Sequence, residues 1–185
     1  MYTDDIKVYD LEKYPNGDIR KRICEFCDYW TYESERLRVH IVYHENGKIK
    51  HELWTKCFTK HRDSDLPALT TFYENGKIKN QRWYCNGFVS RLCDKPSIIS
   101  YYENGNIQYE VYFDTNNISR NNDLPSYIEY YENGNIRYKK WYKHDELHRD
   151  DDKPAILFYD EKGNIVTKEC YRYGKLYYTS DNSNM

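Results

Sequence analysis

The chain has 185 residues, and 28 lysines and arginines against 30 aspartates and glutamates give it a formal net charge of −2. This near-neutral balance provides no field to steer the protein to nucleic acid or to an anionic membrane, so we expect neither partner. The hydropathy is low enough for a disordered chain, but 22 tyrosines, 6 phenylalanines and 4 tryptophans supply enough buriable area for a folded protein.

The amino-terminal residues favour an intracellular protein. Residues 1–5 lack the basic and apolar regions of a secretory signal, and no apolar run in the sequence is long enough to span a bilayer. We therefore expect a cytoplasmic location, no integral membrane contact and reduced cysteines. The single C-x-x-C pair, Cys24 and Cys27, lacks the second close ligand pair of a zinc site, so we expect no metal and no cofactor.

One repeated unit fills the chain, and each copy carries a turn glycine. The turn glycines are Gly17, Gly47, Gly76, Gly105, Gly134 and Gly163, with successive spacings of 30, 29, 29, 29 and 29 residues. We expect residues 14–176 to form a single array of six units, with the first and last copies as caps. Residues 1–13 precede the array as a lead-in, and residues 177–185 follow it as a polar tail that we expect to fray.

Each copy predicts a β-hairpin. Residues 130–136 read Tyr-Tyr-Glu-Asn-Gly-Asn-Ile, and Asn-Gly between two aromatic-rich runs favours a type I′ turn, in which both central residues have positive φ. Proline precedes the first strand, as Pro154 does before residues 155–159. In one copy, Asn86 and Gly87 indicate a second tight turn.

The second strand of the unit does not settle which face of the sheet is the core. Tyr138 and Trp141 fall on opposite parities, so either a bulge separates them or neighbouring segments partly cover both faces. We favour cover on both faces, because one hairpin is too small to fold alone. The absence of a sustained helical period predicts an all-β fold, a solenoid-like antiparallel β-meander of about six hairpin units.

An aromatic residue lies seven positions after the turn glycine in the four central copies. These residues, named here the aromatic row, are Trp54, Trp83, Tyr112 and Trp141. Core packing explains such a row. If the row is exposed, it forms a contact strip for a protein partner, or a series of rings on which sugars stack. We therefore take the aromatic row as the candidate interaction surface.

An arginine and an aspartate follow each member of the aromatic row. The arginines are Arg62, Arg91, Arg120 and Arg149, and the aspartates are Asp65, Asp94, Asp123 and Asp152. Together with the turn glycines of the four central copies, they form the predicted structural ladder. Exposed ion pairs of this kind contribute about 0.5 kcal/mol each. The alternative is a phosphate-binding arginine stripe, which the neighbouring aspartates would neutralise.

One recurring triplet imitates an enzyme motif. Residues 61–63 and 148–150 both read His-Arg-Asp, as in the catalytic loop of protein kinases. A kinase also needs a glycine-rich phosphate loop, a strand lysine and Asp-Phe-Gly. Catalysis moreover requires distinct environments that separate pKa values, and a repeated position does not offer them. We expect no enzymatic activity and no catalytic residue.

The Tyr-Tyr-Glu-Asn-Gly-Asn-Ile runs, the Trp-Tyr that follows and the His-Arg-x-x-Asp-x-Pro-Ala segments resemble MORN-type repeats. The resemblance covers about residues 10–176 and is greatest to a longer variant of the repeat, found in multicopy proteins of giant DNA viruses and some bacteria. It implies an elongated antiparallel β-meander used mainly for scaffolding and protein contact. Lipid binding has been proposed for some members, and related repeats build a family of bacterial antitoxins.

These expectations combine into one functional hypothesis with two alternatives. The hypothesis is a non-enzymatic repeat scaffold for protein–protein interaction, in a giant-virus setting that the many Asn, Lys, Ile and Tyr residues also fit. The alternatives are a carbohydrate- or lipid-binding module that uses the aromatic row, and an antitoxin-like partner of one toxin. Open strands at the ends of the array would allow self-association.

Overall fold

The computed structural model describes residues 5–27, 37–114 and 117–181, and within these ranges the chain forms strands and turns without a helix. The predicted all-β fold class is confirmed. No described residue belongs to a helix with the length and apolar character needed to cross a bilayer. The chain divides between Val89 and Ser90 into two compact units.

The first unit contains three hairpins and two short ladders. Its strands are β1 (Asp5–Lys13), β2 (Ile19–Cys27), β3 (Leu37–Tyr43), β4 (Ile49–Lys56), β5 (Thr59–Lys60), β6 (Leu69–Phe72), β7 (Ile78–Arg82), β8 (Tyr84–Cys85) and β9 (Phe88–Val89). The hairpins β1–β2, β3–β4 and β6–β7 join in that order into one antiparallel meander. The short strand β5 pairs with the end of β4, and β8 pairs with β9.

The second unit repeats this plan. Its strands are β10 (Ile98–Tyr101), β11 (Ile107–Val111), β12 (Phe113–Asp114), β13 (Asn117–Ile118), β14 (Tyr127–Tyr130), β15 (Ile136–Lys140), β16 (Tyr142–Lys143), β17 (Glu146–Leu147), β18 (Ile156–Tyr159), β19 (Ile165–Arg172) and β20 (Lys175–Asp181). The hairpins β10–β11, β14–β15 and β18–β19 form an antiparallel meander, and β20 closes it by pairing with β19. Short ladders join β12 to β13 and β16 to β17. The two units thus contain the six predicted hairpins.

The turn at the repeated glycine is a three-residue loop, and the predicted type I′ turn is wrong. In hairpin β3–β4, the N–H of Gly47 donates to the carbonyl of His44 at 3.0 Å, and the N–H of His44 donates to the carbonyl of Lys48 at 2.8 Å. Gly47 has a φ of +78°, whereas Asn46 does not have positive φ. Glu45 and Asn46 therefore form a type I turn, and the glycine adds a bulge after it.

The asparagine before the glycine contributes a side-chain hydrogen-bond acceptor, and its tolerance of positive φ is not used. The Oδ1 atom of Asn46 accepts a hydrogen bond from the N–H of Lys48 at 3.0 Å. The same bond is made by Asn75 to Lys77, by Asn104 to Asn106 and by Asn133 to Asn135, at 2.9, 2.8 and 2.9 Å. This acceptor satisfies a backbone donor that the bulge removes from the ladder.

Type I′ geometry occurs instead at the second turn of the unit. Asn86 and Gly87, with φ of 49° and 87°, join β8 to β9, which confirms the second tight turn predicted there. Equivalent residue pairs with positive φ are Cys57 and Phe58, His144 and Asp145, and Tyr173 and Gly174. A two-residue loop favours this geometry because its twist matches that of the flanking strands.

Both faces of the meander are partly buried. In β14, Ile128 is buried and its neighbours Tyr127 and Glu129 are half-buried. Consecutive residues of a strand point to opposite faces, so each face has its own packing. The favoured interpretation, partial cover of both faces, therefore agrees with the structure.

The two ends of the array differ from the predicted boundaries. Residues 177–181, expected in a fraying tail, belong to β20 and pair with β19. Residues 5–13 of the expected lead-in form β1, the first strand of the first hairpin. The tail prediction failed because polar composition was weighed above the strand-forming Tyr177, Tyr178 and Thr179. Residues 1–4 and 182–185, also assigned to these segments, lie outside the described residues.

The three-residue loop requires positive φ at Gly47, and substitution of this residue tests that requirement. An alanine there meets no atom within 4 Å, so its only cost is the positive φ. We expect Gly47→Ala to lower the free energy of unfolding by about 1 kcal/mol, and Gly47→Asn to lower it less, because asparagine tolerates left-handed geometry better. Urea denaturation followed by circular dichroism measures both. Equal losses in the two variants would contradict the assigned turn.

Candidate functional site

The aromatic row is not an exposed contact strip. In the first unit Trp83 exposes 6% of its surface and Trp54 is half-buried; in the second unit Tyr112 and Trp141 expose 8% and 7%. Rings buried to this extent are unavailable to a partner of the folded chain. The candidate interaction surface inferred from the sequence is therefore wrong, and the row belongs to the core.

Arginine side chains cover the aromatic row. The guanidinium carbon lies 4.1 Å from the ring centroid for Arg62 over Trp54, 3.7 Å for Arg120 over Tyr112 and 4.0 Å for Arg149 over Trp141. At these distances each cation is attracted to the negative face of the ring. The sequence could not show this cover, because the arginine approaches from a loop eight residues further along the chain.

The same arginines hold two further partners. In the second unit Arg120 donates from Nε and Nη2 to the carboxylate of Asp94 at 2.7 and 2.9 Å, and Arg149 donates likewise to Asp123 at 2.7 and 3.0 Å. Each arginine therefore pairs with the aspartate of the preceding copy. The Nη1 atoms of Arg62, Arg91, Arg120 and Arg149 donate to the carbonyls of Pro67, Pro96, Pro125 and Pro154 at 3.4, 3.3, 3.4 and 3.2 Å.

The aspartates of the ladder also occupy backbone positions with positive φ. Asp65, Asp94, Asp123 and Asp152 have φ of 54°, 52°, 55° and 55°. Aspartate tolerates this left-handed geometry better than most residues, so one residue type supplies both the turn and the charge. The Arg149 guanidinium, with help from Lys153, lowers the pKa of Asp123 to about 2. Because carboxylates fill the forks of Arg120 and Arg149, these two arginines do not form a phosphate-binding stripe.

The histidine of the His-Arg-Asp triplet joins neighbouring turns. His148 Nε2 lies 2.9 Å from Asp150 Oδ1, and the N–H of Tyr173 donates to His148 Nδ1 at 3.4 Å. Since Nδ1 accepts this N–H, Nε2 carries the proton that is donated to Asp150. His61 makes the equivalent contacts in the first unit, at 2.8 and 3.2 Å. Both triplets thus perform a structural role, in agreement with the sequence interpretation.

A second set of links between copies was missed by the sequence analysis. The tyrosine hydroxyl three residues before the glycine donates to a strand carbonyl of the next copy: Tyr14 to Tyr43 at 2.9 Å, Tyr102 to Tyr130 at 2.8 Å and Tyr131 to Tyr159 at 2.8 Å. Turn amides add parallel bonds, from Asn46 to the Glu74 carbonyl at 2.9 Å and from Asn135 to the Glu161 carbonyl at 2.7 Å. The available signal was a tyrosine at this position in four of the six copies.

One face of the second unit carries a row of stacked rings. The centroids of Tyr109 and Tyr127 lie 5.7 Å apart, those of Tyr127 and Tyr138 lie 5.8 Å apart, and Phe158 follows at 5.8 Å. The hydroxyls of Tyr127 and Tyr138 both donate to Glu129. Burial, reinforced by this bond, raises the pKa of Tyr138 to about 12. The rings of Tyr109, Tyr127 and Tyr138 are nearly parallel and half-buried, whereas the Phe158 ring is tilted by 57° to that of Tyr138.

The second turns carry exposed apolar side chains. In the first unit Phe58 and Phe88 expose 72% and 59% of their surface. Their turns are neighbours, because the N–H of Gly87 donates to the carbonyl of Lys60 at 2.9 Å. We call Phe58 and Phe88 the tip patch. Phe58 lies in its turn and Phe88 directly follows the neighbouring one. An exposed pair of aromatic residues at neighbouring turns is suited to contact with another protein.

Comparison with known families identifies the repeat. Residues 68–86, 98–115 and 126–144 match the family model described as MORN repeat variant. Each matched segment begins at, or one residue before, the first strand of a hairpin, and the segments 68–86 and 126–144 end in the second turn of their copies. None of the curated proteins compared with the chain matches it.

The pair of Arg149 and Asp123 predicts an acid-dependent loss of stability. The folded pKa of Asp123, about 2, lies below its ordinary value of 3.8, so the pair stabilises the fold fully above about pH 4 and progressively less as the pH falls to 2. Asp123→Asn keeps a residue that tolerates positive φ but removes the charge. We expect a lower urea midpoint for this variant at pH 6, and a difference from wild type that closes towards pH 2. A difference independent of pH would contradict the ion-pair assignment.

The tyrosine links predict a cost for removing one hydroxyl. Tyr131→Phe retains the ring but loses the bond to the Tyr159 carbonyl, so we expect the free energy of unfolding to fall by about 1 kcal/mol. Tyr109→Phe is the matched control, since the described residues include no hydrogen-bond partner for its hydroxyl. Urea denaturation at neutral pH compares the two. Equal stability of both variants would show that the link between copies contributes nothing.

Proposed function

Because the chain is a MORN-type repeat protein, we propose that it works as a non-enzymatic scaffold that binds a protein partner. One observation carries the proposal: in the described copies, the charged groups at repeated positions bond to one another. The forks of Arg120 and Arg149 are filled by carboxylates, and His148 is bonded at both ring nitrogens. Groups held in this way maintain loop geometry and do not form the distinct acid and base that catalysis needs.

The tip patch is the proposed contact for the partner. Phe58 and Phe88 are large and exposed; Phe58 lies in a two-residue turn, and Phe88 begins β9 directly after the next such turn. A backbone held by turn and strand hydrogen bonds limits the entropy lost on binding. The guanidinium carbon of Arg38 lies 4.8 Å from the Phe58 centroid, and its Nε and Nη2 atoms both donate to Glu25 Oε1 at 2.7 Å, so Arg38 packs against the ring as part of an ion pair. A partner with an apolar pocket complements the tip patch.

The ligand-binding alternatives lose their support. Sugar stacking and lipid contact both required an exposed aromatic row, but Trp83 and Trp141 are buried and the Trp141 face is covered by Arg149. An antitoxin-like role is a special case of the same proposal, with one toxin as the protein partner. The cytoplasmic location stays a prediction. The giant-virus setting stays a prediction.

Affinity purification with mass spectrometry from the native cell tests the proposal. We expect wild type to retain a stoichiometric protein, and the double variant Phe58→Ala with Phe88→Ala to retain at least tenfold less of it, since such anchors contribute about 1–2 kcal/mol each. Leu92→Ala is the control, because Leu92 is exposed but lies outside the tip patch. Circular dichroism confirms that all variants fold.

Different results of this experiment would reject the tip patch as the contact and the scaffold function itself. A partner retained equally by the double variant would overturn the tip patch as the contact. The scaffold proposal itself fails if wild type and control both purify without any specific protein.

A further inference from the structure

The strands β1 and β20 each have one open edge. Among the described residues, β1 pairs only with β2 and β20 pairs only with β19. They contain nine and seven residues, whereas β14 and β18 contain four each. A long open edge presents a row of unpaired N–H and C=O groups to which another strand can add.

Both edge strands also expose large apolar side chains. Ile6 and Val8 on β1 expose 56% and 52% of their surface, and Tyr178 on β20 exposes 55%. Val39, which occupies in β3 the place that Val8 occupies in β1, exposes only 4% because the next strand covers it. The edge residues are thus large apolar or aromatic side chains of the kind that is buried in interior strands, but no strand covers them.

We propose that β20 of one molecule pairs antiparallel with β1 of a second molecule, so that copies of the chain join end to end. A single heterologous contact of this kind uses both open edges, whereas a contact between two identical edges leaves the other edge exposed. The assembly goes beyond the proposed function, since it does not involve the tip patch.

The side chains match across the new contact. Tyr178 lies opposite Cys170 and Val8 lies opposite Cys24 in their own hairpins. Both cysteines stand seven residues after a turn glycine, so Tyr178 and Val8 share the face of the aromatic row. A register with Tyr178 opposite Val8 brings Ile6 within diagonal reach of the tyrosine ring.

Shape and charge are compatible with the antiparallel direction. This direction brings the start of β20 beside the end of β1. In the register of Tyr178 opposite Val8, Lys175 lies opposite Leu11 and next to Glu12, whose contacts with Arg20 and Lys21 are long at 3.6 and 3.8 Å. The start of β20 also borders an open cavity of about 500 Å³ lined by Arg172, Tyr173, Lys175 and Tyr177. Exposed Leu11 of β1 is the apolar side chain placed to enter it.

Two edge-blocking variants of the full chain test the assembly. Val8→Lys places a charge on the β1 edge, and Tyr178→Lys does the same on β20; lysine is a residue that natural edge strands use against pairing. Leu92→Lys is the matched control, because it changes an exposed apolar residue away from both edges. Analytical ultracentrifugation over a range of concentrations gives the number of chains in each species.

We expect wild type and the control to form species that grow with concentration beyond two chains. Each edge variant alone should remain a single chain. An equimolar mixture of the two should form dimers that do not grow, because one intact β20 meets one intact β1 and the other two edges are blocked.

Two results would overturn the proposal. Wild type that stays a single chain at the highest soluble concentration shows no end-to-end contact. Edge variants that still dimerise alone show pairing between identical edges. Circular dichroism excludes misfolding, and partner capture by the Val8→Lys variant shows whether the scaffold function survives independently of assembly.

Discussion

The structure depends on a chain of contacts that runs from one copy of the repeat to the next. An aromatic ring packs under the arginine of its own copy, and in the second unit that arginine grips the aspartate of the preceding copy, as Trp141, Arg149 and Asp123 do. At the other end of the hairpins, beside the glycine turns, tyrosine hydroxyls and turn amides link each copy to the next. A hairpin of this size is unstable alone, so these contacts between copies are a condition of folding.

The sequence predicted the hairpins well because their determinants are local. The spacing of Gly105 and Gly134 gave the period, and the flanking aromatic runs gave the strands. The turn type was missed because Asn-Gly suits both a two-residue loop and a type I turn with a bulge, and the choice depends on strand register. The burial of Trp141 could not be decided from the sequence for a different reason: whether a ring is buried depends on how the loop that carries Arg149 folds back over it.

The bonding of repeated groups is the reason to propose a contact at residues that interrupt the pattern. Repeated arginines, aspartates and histidines bond to one another, and repeated tyrosines bond to backbone carbonyls. Phe58 lies in a second turn of the unit and Phe88 directly follows one, where the short ladders are made by backbone atoms and do not depend on the side chain. Under the proposed scaffold function, specificity would come from residues at these turns, while the strands stay uniform.

The links between copies have a consequence for how such a chain changes over generations. The tyrosine and arginine bonds span 26 to 29 residues and join only adjacent copies. Duplication of a central unit that carries the tyrosine, the arginine and the aspartate therefore recreates these bonds at the new junction. Unequal recombination between such units can lengthen the protein in single steps, and the product inherits these contacts without compensating substitutions.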